Sequence, residues 1–305
     1  MKKLLATLAL GLSLGLGVFG AASVATAQTA PAAVTALAAE AKVDGTARLA
    51  AQSISFDELP PVGAPGTIAA QNPLGVLEIE QVDFANGVKA LVWANDAEPG
   101  RVTVRVRFGA GWRAFDDSNA VYASLGEQAL VGSGLGELGQ NEIDRLATGR
   151  KLGFDFAIDD AVFTFTAQTR SEDVNDQLYL FAAKLGMPRW DKDPVIRAKA
   201  ASELAYNTYS TSPGGILNRD LEYLVTGGDE RFATPDPAAL KTATPEGFRA
   251  VWEPLLKQGP IEVLVFGEFD QPAVIEQLRL TFGALPPREP IPAEVAARVP
   301  PFAPT

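Results

Sequence analysis

Histidine and cysteine are absent from all 305 residues. Those two side chains supply most zinc sites and most base-activated nucleophiles, because a neutral imidazole or a thiolate joins lone-pair donation to a pKa near working pH. Their absence excludes a Ser-His-Asp triad, a Cys-His dyad and any ordinary Cys/His zinc centre. Chemistry would have to come from carboxylates, Lys, Tyr or a hard oxygen-ligated metal, so the composition favours binding over reaction. No disulfide can form, and a core of ordinary domain size has to hold the fold. Basic residues are also in deficit, with 26 Lys and Arg against 37 Asp and Glu and a net charge of −11. That sign argues against nucleic acid and anionic lipid as partners, and solubility accounts for it.

What is present begins with an address. Lys2 and Lys3 precede a largely apolar run over residues 4–22, and Ala25, Thr26 and Ala27 follow as small residues suited to a signal peptidase. This predicts a signal peptide over 1–27 and a periplasmic protein with no membrane association beyond that segment. Cleavage before Gln28 removes Lys2 and Lys3 and takes the charge from −11 to −13. Residues 28–75 are rich in Ala, Pro and Gly and carry few large apolar side chains, so they are expected to be a linker. Residues 287–305 repeat Pro and Ala and are expected to be a second connector. The intervening stretch, 76–286, has the size of one domain.

Within it, strand and helix signals alternate. Residues 76–84 and 88–93 flank Asn86-Gly87, a strong hairpin signal. Val102, Val104, Val106 and Phe108 fall on one face of a third strand, with Arg101, Arg105 and Arg107 interleaved as a solvated face. Asn119 and Asn141 are candidate caps of two helices, and residues 154–158 and 162–167 alternate about Asp159-Asp160 as another hairpin. Helical spacing recurs over 173–185, 194–206, 215–224 and 245–256. An apolar strand over 261–266 follows, then a last helix capped by Asp270. The fold class predicted is α+β, with one mixed or largely antiparallel β-sheet and helices packed against it.

Several phrases in this order resemble one lobe of the M16 (insulinase/pitrilysin-type) metallopeptidases. They are Phe84-Ala85-Asn86-Gly87-Val88, Arg105-Val106-Arg107-Phe108-Gly109-Ala110-Gly111, the hairpin over 153–163, Ile261-Glu262-Val263-Leu264-Val265-Phe266-Gly267-Glu268, and Phe282-Gly283-Ala284-Leu285-Pro286. The resemblance covers 76–287. Active members carry His-x-x-Glu-His on the first helix and a third zinc ligand, a Glu, further on. Aligning Ala129-Leu130-Val131-Gly132 with the phrase that follows the motif puts Ser124, Glu127 and Gln128 at the His, Glu and His positions. Glu203, 75 residues beyond Gln128, falls where the distal ligand belongs. Both histidines are gone, so the resemblance implies a degenerate motif, no metal and no cofactor in this chain, with zinc only in a partner. Glu127 and Glu203 helped by Ser124 and Gln128 would make only a weak oxygen site.

The resemblance further implies a single lobe like that of a noncatalytic half. A zinc-bearing M16 partner subunit or a sister lobe would complete it, and peptides would be its ligands. The segment matching the family's substrate-pairing edge strand is Phe154, Asp155, Phe156, Ala157 and Ile158, and Arg219, Tyr223 and Arg231 lie in the region that reaches toward substrate. Two functions follow: a catalytically inactive periplasmic protein that binds peptide or completes a zinc protease, and a structural or assembly subunit without a peptide role. A fragment of a larger M16 protein is the remaining alternative.

Overall fold

The computed structural model describes residues 55–75 and 77–298; the expected signal peptide, residues 28–54 of the expected linker and residues 299–305 lie outside this range. Strands β2 (Ile79–Phe84) and β3 (Lys89–Ala94) pair antiparallel as the hairpin predicted. The loop is one residue longer than a two-residue turn, because Phe84 N–H bonds to the Val88 carbonyl across Ala85, Asn86 and Gly87. Gly87 supplies the positive φ of 89° that such a loop requires at its last position. Asn86 is thereby free to reach sideways, and its Nδ2 donates to the carbonyls of Phe282 (2.9 Å), Gly283 (3.1 Å) and Leu285 (2.9 Å).

The domain starts earlier than residue 76. Strand β1 (Ile68–Leu74), inside the expected linker, pairs antiparallel with β2 from Ile68↔Phe84 to Leu74↔Ile79. It escapes a sequence pattern search because it is an edge strand with no buried residue, so nothing enforces apolar alternation, and an edge tolerates Pro73. The domain also runs past 286. The Gly259 amide donates to the Glu289 carbonyl (2.8 Å), the Glu289 amide to Lys257 (3.0 Å), and Arg288 Nη2 to Gln258 (2.9 Å), so the start of the expected connector is docked.

The sheet continues with β4 (Val102–Phe108), the hairpin β5 (Asp155–Ile158) and β6 (Phe163–Thr169), and β7 (Ile261–Gly267). Its order is β1-β2-β3-β7-β4-β6-β5. The last strand inserts between β3, to which it is parallel, and β4, to which it is antiparallel, so the sheet is mixed as expected. One face carries Val82, Val92, Val104, Val106, Phe163, Phe165 and Val263, all buried. The other shows Arg105 and Arg107 to solvent, with Arg107 paired to Glu262 at 3.0 Å.

Helices cover the buried face. They are α1 (Ala120–Val131), α2 (Gln140–Leu146), α3 (Val174–Gly186), α4 (Lys192–Tyr209), α5 (Pro213–Val225), α6 (Pro237–Thr242), α7 (Pro245–Leu255), α8 (Gln271–Leu280) and α9 (Ala293–Ala296). Asp270 caps α8 through Ala273 as predicted. Asn119 precedes α1 but turns its side chain back to the Asp116 amide, and α2 starts after Gly139 with Asn141 already inside it. The short α6, which sequence periodicity did not reveal, is set by the Asp236 cap and Pro237. Between sheet and helices sits an aromatic cluster. Phe108 and Phe165 are 4.9 Å apart between ring centroids, Phe163 and Trp252 are 5.2 Å apart, and Phe115 and Trp252 are 5.4 Å apart, in the tilted geometries aromatic pairs favour.

Candidate functional site

Helix α1 buries Ala123, Gly126, Ala129 and Leu130 on its inner side. Ser124, Glu127 and Gln128, at i, i+3 and i+4, therefore share a neighbouring face. They line a cavity of about 410 Å³ with Ile158 at the end of β5, Ser202 and Tyr209 of α4, Glu222 of α5, and Arg231 in the turn that follows. Trp112 and Phe232 form an aromatic wall, with ring centroids 5.0 Å apart. Ser124 spends its hydroxyl on the Val121 carbonyl at 2.9 Å, a local helix bond that leaves it no donor for a ligand.

Three of the four motif positions thus meet, and Glu203 does not join them. It is exposed and faces away, because α4 turns Ala201, Ser202, Ala205 and Tyr209 toward the cavity and the next position, 203, is rotated by about 100°. The second carboxylate of the cavity is instead Glu222, which spacing from the motif does not single out. Desolvation pushes the Glu127 carboxyl above its ordinary pKa; the Ile158 backbone amide opposes the shift, and the charge of Glu222 adds to it. Among the described residues no cluster of three or more His, Cys, Asp or Glu side chains converges as a metal site. Two carboxylates, a committed hydroxyl and an amide make a poor fit for a zinc ion, whose sites ordinarily set imidazole or thiolate beside any carboxylate.

Strand β5 is the terminal strand of the sheet, and among the described residues only β6 pairs with it. The Asp159 amide bonds to the Val162 carbonyl at 2.9 Å, which makes 159 and 162 a hydrogen-bonded pair. By the antiparallel alternation, Ala157 and Asp155 bond to β6, while Phe156 and Ile158 turn their amides and carbonyls outward. Side chains anchor the strand from within: Phe154 stacks at 4.7 Å on Phe165, and Phe156 is buried 5.6 Å from Trp252. Asp155 and Ala157 are exposed.

Of the three residues expected to reach toward substrate, only Arg231 lines this cavity. Arg219 is held by Asp220 (2.7 Å), and Tyr223 donates to Glu230 (3.3 Å), both around a separate groove. Arg231 is 9% exposed. Its Nε donates to Asp229 Oδ1 at 2.9 Å and its Nη2 to Oδ2 of the same carboxylate, while its buried Nη1 has no hydrogen-bond partner.

Solved structures similar to this chain include peptidases, and the likeness is one of structure alone. No family model and no curated protein matches the sequence. The periplasmic protease PqqL from Escherichia coli superposes with a TM-score of 0.65 at 14% identity, over 90% of this chain and 30% of that one. The ferredoxin protease FusC, solved as a mutant with Arabidopsis ferredoxin, gives 0.64 at 17% identity, over 77% and 26%. A peptidase M16 inactive domain from Pseudomonas fluorescens gives 0.58 at 18% identity, over 74% and 54%. The fold is that of a single M16-type peptidase lobe. The chain spans between about a quarter and a half of the length of these matched proteins.

Proposed function

We propose that this chain is a catalytically inactive M16-like periplasmic lobe that binds extended peptide along β5 and works as the noncatalytic component of a zinc protease. The observation that carries the proposal is the outward-facing backbone of Phe156 and Ile158 beside a cavity in which the motif positions hold Ser124, Glu127 and Gln128. A peptide can add there as a further strand through main-chain hydrogen bonds, with little demand on its sequence. The cavity offers no imidazole and no thiolate, which argues against a zinc centre of the usual kind in this chain. Zinc would come with the partner.

Exposed apolar side chains on α4 and α5 support association with a partner. Leu204, Ile216, Leu217, Leu221, Leu224 and Val225 are all exposed, and α5 buries no residue at all among those described. An apolar face of that kind in a water-soluble lobe is what a protein interface covers. The same face favours the second function, a structural or assembly subunit without peptide binding, equally well.

The discriminating experiment assays peptidase activity on a long unfolded peptide and bound zinc together, for the mature chain alone and with periplasmic extract. Hydrogen exchange of β5 is followed with the same peptide. Slowed exchange at Phe156 and Ile158, no zinc in the chain alone, and activity that co-purifies with a zinc-bearing partner are the expected results. Stoichiometric zinc and activity in the chain alone would overturn the inactive assignment. Unchanged exchange with a stable complex lacking peptidase activity would select the structural subunit.

A further inference from the structure

The charge inside the cavity is not balanced. Arg231 is already neutralised by Asp229 through two of its nitrogens, which leaves Glu127 and Glu222 facing one another across the space without a cation. None of the described lysines and no other arginine lines it. The walls beside these carboxylates are Trp112, Phe232 and Tyr209, whose ring faces attract a cation as well as an alkyl stem. A ligand suited to this lining offers a cation on an alkyl stem.

We infer that the cavity selects a Lys or Arg side chain of an extended peptide paired to β5, with the ammonium or guanidinium between Glu127 and Glu222. This rests on the peptide-binding reading above. Ile158 connects the two parts, because it ends the outward-facing edge and lines the cavity. Its amide lies near the Glu127 carboxyl and opposes the rise in that group's pKa. A paired peptide takes over that amide with its own carbonyl and frees the carboxylate for the incoming cation. Alternate side chains of a paired strand point to one side, so one residue in two can be inspected here and its neighbours cannot.

The test uses flexible, otherwise uncharged peptides identical except for one central position, which carries Lys, norleucine or Glu, titrated against the full mature chain. The Lys peptide is expected to bind about tenfold more tightly than the norleucine peptide, the Glu peptide is expected to bind more weakly than either, and the preference is expected to shrink as salt is raised. Glu222→Gln, and separately Glu127→Gln, should bring the Lys preference toward unity; both sites are exposed, and a thermal melt verifies that each variant folds. Equal binding of the Lys and norleucine peptides overturns the inferred selectivity while leaving peptide binding intact. A preference that survives both substitutions overturns its assignment to this cavity. Failure of all three peptides to bind overturns the peptide-binding reading itself, and the selectivity with it.

Discussion

Gly126 of α1 stands directly against the indole of Trp252 in α7: a Cβ at residue 126 would lie 2.3 Å from Trp252 Cζ2. The indole is tied to the same helix, since Trp252 Nε1 donates at 2.8 Å to the carbonyl of Tyr122, one turn before Gly126. This close approach sets the depth of α1 on the core and hence the place where the next residue, Glu127, enters the cavity. Gly126→Ala gains about 1 kcal/mol of helix propensity but forces an overpacked contact that costs about 1–3 kcal/mol. The expected outcome is a net loss of stability, read as a lower urea midpoint with an unchanged slope.

Lys184 should give the protein a distinctive pH profile. Its ammonium, 3% exposed, donates to the carbonyls of Leu130 (2.9 Å), Ser133 (2.6 Å) and Gly134 (3.3 Å) at the C-terminal end of α1. Burial lowers its pKa to about 7, with the Asp191 charge acting the other way, as do the carbonyls at the end of the helix. Between that value and the ordinary lysine pKa of about 10.4 the unfolded chain binds the extra proton, so stability should rise with pH across this window. In Lys184→Met the rise should be smaller by about 1–3 kcal/mol, as measured by urea unfolding from pH 7 to 10.

Asp229 should act in the opposite pH range. Its hydrogen bond from Arg231 holds the carboxyl below the usual value, so this pair contributes stability above the unfolded Asp pKa of about 3.9 and loses it as pH falls through the folded value. Asp229→Asn leaves Arg231 buried without its counter-charge. Acid titration of stability should lose this component in the variant, and the loss at neutral pH should be about 1–3 kcal/mol.

Asn86 ties the first hairpin to the end of the domain through three carbonyls. Asn86→Ala leaves those acceptors without their shared donor and removes the Oδ1 that accepts from the Val88 amide at 3.2 Å. A loss of about 1–3 kcal/mol is expected, together with faster hydrogen exchange around residues 282–285. Asn86→Asp should not rescue it, because a carboxylate cannot donate.

The elements most legible in the sequence were those whose side chains alternate between core and solvent. Val102, Val104, Val106 and Phe108 mark β4 because the sheet is covered on one face only, and Asp270 marks the start of α8 because its side chain caps a helix. Strand β1 left no such mark, since an exposed edge is held by backbone bonds that any residue can make. At the site, the family resemblance singled out Ser124, Glu127 and Gln128, and their spacing within one helix put them on one face. Glu203 failed because its position depended on how α4 is rotated, and Glu222 and Arg231 came to the cavity from other elements altogether.

By itself the sequence determined what this protein cannot do: without histidine or cysteine no residue order can build a zinc centre of the usual kind, and that exclusion holds in any conformation. Only the tertiary structure decided which carboxylate faces Glu127, which arginine lines the same cavity and which strand edge is unpaired among the described residues. Those are distances between segments far apart along the chain, set by how helices pack on the sheet, and no local pattern of residues encodes them.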